Sequence, residues 1–130
     1  MAQMNPRELD VLNILWQSEE PMMATDIVNA RVGLTQSTVT AVLRKLLNEN
    51  LVEVVGITHS GRVLSRTYRP TEISRDVILQ YFTDSYNSFS NVIPESEICV
   101  AILTQNKAPE KAKAEIKKLK SMLSDFEKKL

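Results

Sequence analysis

Thr35, Gln36, Ser37, Thr38 and Thr40 place five short hydroxyl or amide side chains within six residues, and Arg44 and Lys45 follow before the first acid, Glu49. Side chains of this length can donate to and accept from the edges of nucleic-acid bases, and cations one or two turns further along can neutralise phosphates. The same stretch carries Val39, Val42, Leu43 and Leu46 at the i, i+3, i+4, i+7 spacing of an amphipathic helix. Advancing by about 100° per residue sets Ser37, Ala41, Arg44 and Asn48 opposite that stripe. Gln36 and Thr40 then lie on one flank, Thr38 and Lys45 on the other. A solvated helix face is ordinarily filled with Glu and Lys. This one is short and acid-free, which suits close approach to a negatively charged surface rich in acceptors.

Each side chain has a distinct expected task. Gln36 can pair with adenine, Ser37 and Thr38 with a base or a phosphate, and Thr40 and Ala41 can meet a thymine methyl. The backbone amides from Thr35 to Ser37, at the positive end of the helix, can hold a phosphate. Arg44 and Lys45 reach flanking phosphates. Further on, His59, Ser60 and Arg62 form a turn with Arg66 behind it, and Arg62 is the foremost candidate for a backbone or minor-groove contact.

Nothing else in the chain resembles a reaction centre. There is no Gly-rich phosphate loop, no histidine beside a nucleophile and no repeated metal-ligand spacing, so neither an enzyme nor a metal or other cofactor is expected. His59, the one histidine, has no Cys or carboxylate beside it and reads as a solvated turn residue. The single cysteine, Cys99, excludes an intramolecular disulfide and suits a reducing compartment. It sits in an apolar helix and reads as a small core residue. Trp16, Tyr81 and Phe82 fall on apolar stripes as core or interface anchors. The lysine-dense stretch from Lys107 to Lys120 reads as a solvated helix face.

The elements that must position the polar helix are legible around it. Asn5-Pro6-Arg7-Glu8 is a helix start, with Asn as cap, Pro at the first position and Glu8 able to reach back. Leu9, Leu12, Leu15 and Trp16 supply its apolar stripe, and the helix should end near Gln17. Thr25-Asp26 opens a short second helix. Val32-Gly33-Leu34 turns the chain towards Thr35, the cap of a third helix expected to run to about Asn50. Two β-branched runs, Leu51–Ile57 and Val63–Tyr68, flank His59-Ser60-Gly61-Arg62 and predict a hairpin closed by Pro70. Helix, helix, turn, helix, hairpin is the layout of a winged helix-turn-helix, with a recognition helix at 35–50 and a wing at 57–66.

From Glu72 onward three more helices are predicted, the later two starting at Pro94 and Pro109. Their stripes include Val77, Ile78, Tyr81 and Phe82, then Ile98 and Ile102, then Ile116, Leu119, Leu123 and Phe126. So small a helical segment buries too little surface to be stable alone. It packs either back on the N-terminal module or against a second copy, and the long, Tyr/Phe-rich stripes with few loops favour a symmetric dimer through these residues. The fold class is mainly α with a small β-hairpin wing, divided into a DNA-binding domain at 1–71 and a helical dimerisation domain at 72–130.

The totals agree with this reading. The chain has 130 residues and no formal net charge, so no global attraction to nucleic acid operates. Between Arg31 and Arg69, however, six basic residues face only Glu49 and Glu53, a local footprint of the kind that steers DNA. No leader-like start and no apolar run of membrane-spanning length is found, which implies a cytoplasmic protein without a membrane partner.

The motifs together resemble one family. Asn5 to Trp16 (NPRELDVLNILW), Ser37-Thr38-Val39 with Leu43, Leu46 and Leu47, and Tyr68-Arg69-Pro70 are similar to the penicillinase and methicillin-resistance repressors. The tail from Ser74 to Leu130 has the length and apolar layout of their dimerisation region. The resemblance implies a homodimeric transcriptional repressor of a palindromic operator, controlling genes such as β-lactamase or, in a copper-responsive branch, metal export. It puts the base-reading positions on Ser37, Thr38, Thr40 and Ala41. Copper-responsive members end in a cysteine pair where this chain reads Phe126-Glu127-Lys128-Lys129-Leu130. The β-lactam-responsive members are cut at an Asn-Phe bond that aligns here with Ala101-Ile102. Neither induction mechanism carries over, so any upstream sensor or protease is unidentified. The alternatives are a winged-helix protein-interaction module, for which the face from Gln36 to Lys45 lacks aromatic anchors, and a ligand-gated regulator.

Overall fold

The computed structural model describes residues 4–105 and 108–130, with Ser60 described by its backbone alone. Lys107, counted in the lysine-rich stretch, lies outside the described residues. The element order is α1 (Pro6–Gln17), α2 (Ala24–Ala30), α3 (Gln36–Asn48), β1 (Val52–Ser60), β2 (Val63–Pro70), α4 (Glu72–Asn87), α5 (Glu95–Thr104) and α6 (Pro109–Lys129). This is the expected mainly helical architecture with a two-stranded antiparallel hairpin.

Helix starts follow local chemistry. Asn5 caps α1 by accepting from the Glu8 amide at 2.9 Å, while the Glu8 carboxylate reaches back to the Asn5 amide. Helix α2 starts at Ala24, ahead of the expected Thr25-Asp26, because Asp26 Oδ2 accepts from the Met23 amide at 3.0 Å. Thr35 caps α3 as expected, accepting from the Thr38 amide at 3.2 Å.

Helix α3 stops at Asn48, earlier than expected, because Asn50 adopts φ 61°. The Leu51 amide then donates to the Leu46 carbonyl at 2.8 Å, and the Asn50 amide donates to the Leu47 carbonyl at 3.1 Å. This pair of bonds is a Schellman motif, with Asn in the left-handed position that few other side chains tolerate.

The hairpin is longer than the two β-branched runs. Its register pairs Val52 with Pro70 and Ser60 with Val63, leaving Gly61-Arg62 as a two-residue turn in which Gly61 has φ 66°. That sign of φ is what a tight hairpin turn demands. A bulge between Val54 and Gly56 interrupts the ladder. The hairpin is tied to the helices where Met22 and Tyr68 exchange backbone hydrogen bonds of 2.9 and 2.8 Å.

By packing, the chain forms two compact units, Met1–Asp84 and Ser85–Leu130. The first has a closed core: Val11, Leu12 and Leu15 of α1, Ile27 of α2, Val39, Val42, Leu43 and Leu46 of α3, with Leu34, Leu51 and Val52. Each such side chain contributes about 1.5–3 kcal/mol when fully buried. The first turns of α4 join this core through Val77, Ile78 and Tyr81, and Trp16 Nε1 donates to the buried Ser74 Oγ at 2.9 Å. In the second unit α5 packs on α6, and the Tyr86 hydroxyl donates to the Ile93 carbonyl at 2.7 Å. Neither α5 nor α6 contains a buried residue.

Candidate nucleic-acid interface

Helix α3 divides as its periodicity requires. Val39, Val42, Leu43 and Leu46 are buried, while Gln36, Ser37, Thr40, Ala41, Arg44 and Asn48 are exposed. Thr38 and Lys45, on one flank, are half-buried. Thr35 is exposed, but its hydroxyl is committed to the helix start: it accepts from the Thr38 amide and donates to Thr38 Oγ1 at 2.9 Å. With Thr38 capped, the Gln36 and Ser37 amides have no hydrogen-bond partner among the described residues. They form the positive end of the helix. The turn into α3 passes through Gly33 at φ 94°, where a side chain would be strained.

The six basic residues between Arg31 and Arg69 separate into two classes. Three are neutralised inside the protein. Arg31 meets Asp10 at 2.7 Å, Arg69 meets Glu53 at 2.7 Å across the hairpin, and Lys45 Nζ meets Glu8 Oε1 at 2.6 Å. Arg44, Arg62 and Arg66 make no ion pair among the described residues and are exposed. The free positive charge of the segment is thus confined to the outer face of α3 and the hairpin.

The ammonium of Lys45, a candidate phosphate contact, sits in this structure on a carboxylate that is only 1% exposed. The hydrogen bond that Lys45 donates to Glu8 holds it above the ordinary lysine pKa, opposed by desolvation and assisted by the charges of Glu8 and Glu49. Sequence reasoning read Glu8 only as a capping residue. Its sequence position carried a further signal, because Glu8, Val11, Leu12 and Leu15 share the buried side of α1. An acid in an apolar stripe calls for a buried partner.

On the hairpin, Ile57 stands opposite Arg66 and His59 opposite Leu64, so these four share one face. All four are exposed. Arg62 occupies the turn itself, and His59 lies on β1, one pair before the end of the ladder, instead of in the turn. The Ser60 side chain, expected at the wing tip, lies outside the described atoms.

The candidate dimer residues fall into two groups. Val77, Ile78 and Tyr81 are half-buried against the core of the first unit, with Phe82 beside them and exposed. In the second unit Ile98, Ile116 and Leu119 are half-buried, while Ile102, Leu123 and Phe126 are exposed, the last two by 55% and 59%. Cys99 is exposed and is not the core residue expected from its apolar helix. The run Ile98–Leu103 is apolar on every side, so helical geometry turns some of it outward whatever α6 covers.

Among the described residues no group of three or more His, Cys, Asp or Glu side chains can hold a metal ion, and no helix is long and apolar enough to cross a membrane.

A family model described as penicillinase repressor matches residues 4–125 of the chain. No curated protein matches it. Several solved structures share the fold. One point mutant of MepR from S. aureus is 17% identical with a TM-score of 0.52, covering 95% of this chain and 80% of that one. A second MepR mutant, bound to an oligodeoxyribonucleotide, is 18% identical with a TM-score of 0.51, over 95% and 80%. A MarR-family transcriptional regulator from Silicibacter pomeroyi is 19% identical with a TM-score of 0.51, over 94% and 72%. At such identities the likeness concerns the winged-helix fold.

Proposed function

The chain belongs to the penicillinase repressor family of DNA-binding transcriptional regulators, and from that premise we propose that it acts as a homodimer on a palindromic operator. The first part of the chain, 1–71, binds the operator and 72–130 carries dimerisation. Helix α3 enters the major groove and reads bases with Gln36, Ser37, Thr40 and Ala41. Thr38 shapes the start of the helix, and the free amides of Gln36 and Ser37 take a phosphate. Arg44, Arg62 and Arg66 neutralise backbone phosphates on either side. A regulator whose partner is operator DNA works in the cytoplasm.

One observation carries this reading. The exposed side of α3 and the hairpin hold the arginines of the segment that make no ion pair among the described residues, whereas its other cations are already neutralised. A merely solvated surface has no need for that sorting. The oligonucleotide bound to the MepR mutant, a protein of the same fold, is consistent with it. Dimerisation is supported by the second unit, in which α5 and α6 bury no residue and leave Leu123, Phe126 and Leu130 exposed.

The test is a salt titration of the purified chain on duplex DNA. Replacing three phosphate contacts' worth of counterions per protomer predicts log K falling linearly with log[salt], with a slope of about −0.9 per neutralised phosphate. A flat response overturns the reading.

A further inference from the structure

We infer that Lys45 is a positioning residue and not a phosphate contact: through the buried carboxylate of Glu8 it fixes how α3 is rolled against α1, and so which side chains meet the base edges. The inference rests on the operator-binding reading and gives Lys45 a different task within it.

The arrangement is reciprocal. Asn5 Oδ1 accepts from the Glu8 amide at 2.9 Å, and Asn5 Nδ2 donates to Glu8 Oε1 at 2.8 Å. The second of these, with the Asn5 backbone amide donating to Oε2, holds the carboxylate at the first turn of α1. Oε1 then receives Lys45 Nζ at 2.6 Å from a residue 37 positions away in the chain. It is the one side-chain hydrogen bond between α1 and α3 among the described residues. The other buried side chains that the two helices give to the common core are aliphatic: Val11, Leu12 and Leu15 from α1, and Val39, Val42, Leu43 and Leu46 from α3. Aliphatic contact is non-directional and tolerates a small roll. An ammonium–carboxylate bond does not, and base-reading side chains must be held within roughly 0.5 Å and 10–20°.

Lys45 is also poorly placed to leave. Swinging its ammonium to a phosphate strands the charge of Glu8, 1% exposed, on Asn5 alone. Uncompensated buried charge is strongly unfavourable. Neighbouring Arg44 carries no such obligation, being free of ion pairs among the described residues. The hydrogen bond to Glu8 also raises the Lys45 pKa, so it stabilises the charged ammonium where it stands.

The experiment compares the full chain with Lys45→Met, Glu8→Gln and the double variant, on an operator fragment selected from genomic DNA and on a scrambled duplex of equal length. Gln keeps the reach-back of the cap while removing the charge. Fluorescence anisotropy across a salt series yields the salt slope and the ratio of operator to scrambled affinity. Each single variant is expected to lower that ratio on the order of tenfold, the double no further than the worse single, with the slope unchanged. A slope shallower by about 0.9 in Lys45→Met, with the ratio retained, assigns Lys45 to a phosphate and overturns the inference. So does loss in Lys45→Met with Glu8→Gln silent, since Glu8 cannot touch DNA. Should Lys45→Met fail to fold on its stranded carboxylate, the double variant carries neither charge and the same slope is read there. Wild-type chain that binds no duplex in a salt-dependent way overturns the operator reading itself, before any variant is compared.

Discussion

Thr35 and Arg62 bracket the range of tasks a polar side chain takes on at this surface. The Thr35 hydroxyl is spent on the start of α3, so Thr35→Ala should lower stability by about 1 kcal/mol in a denaturant titration. Arg62 has no ion pair among the described residues and sits in the hairpin turn. Arg62→Ala should therefore weaken binding to all duplexes alike and make the salt slope shallower by about 0.9. Gln36→Ala or Thr40→Ala should do neither. Each should alter preference at one or two base pairs, costing roughly 1–3 kcal/mol there, as read by competition with substituted duplexes. Identical behaviour of all three variants contradicts this division of labour. The exposure of Gln36, Ser37, Thr40 and Arg44 was legible in the sequence because a helical period fixes which residues lie opposite the buried stripe. The engagement of Lys45 was not legible, because its partner is brought to it by the packing of α1 on α3. Cys99 was misread for a related reason: an apolar neighbourhood in sequence does not say which side of a helix is covered.

At the scale of elements, caps and turns explain both agreements and departures. Asn5, Thr35 and Gly61 fix the starts of α1 and α3 and the hairpin turn by bonds within a few residues, which local sequence can reveal. The end of α3 depends on Asn50 taking φ 61°, a choice that an uninterrupted helical pattern conceals. The extra length of β1 and β2 comes from pairing, since Thr58 and His59 stand opposite Ser65 and Leu64, and Arg69 and Pro70 opposite Glu53 and Val52. Tertiary support dominates elsewhere. Leu46, on the inner side of α3, is fully buried, so Leu46→Ala should destabilise the first unit by about 2–5 kcal/mol in thermal or denaturant unfolding. The Trp16 indole and the buried Ser74 hydroxyl join α1 to the first turn of α4, and Ser74 in turn donates to the Thr71 carbonyl at 2.6 Å. Loss of the indole donor in Trp16→Phe should cost about 1–3 kcal/mol by leaving Ser74 short of a partner. A variant as stable as the wild type contradicts that role.

The whole molecule combines one unit with a closed core and another without buried residues in α5 or α6. That contrast motivates the proposed dimer, in which the surface of a second copy would supply the interior that the second unit lacks. Leu123→Glu or Phe126→Glu should therefore shift the chain to monomers in sedimentation equilibrium and weaken operator binding, while leaving the first unit folded by circular dichroism. A symmetric pair also requires half-sites about 10 bp apart, or a multiple of that, centre to centre. The central claim is that the acid-free side of α3 and the free arginines around it exist to meet double-stranded DNA. It is tested most directly by measuring the affinity of the wild-type chain for a genomically selected duplex across a salt series. The account predicts a steep linear fall of log K with log[salt], its slope set by about 0.9 for each phosphate neutralised. An affinity indifferent to salt, or no duplex selected at all, contradicts it.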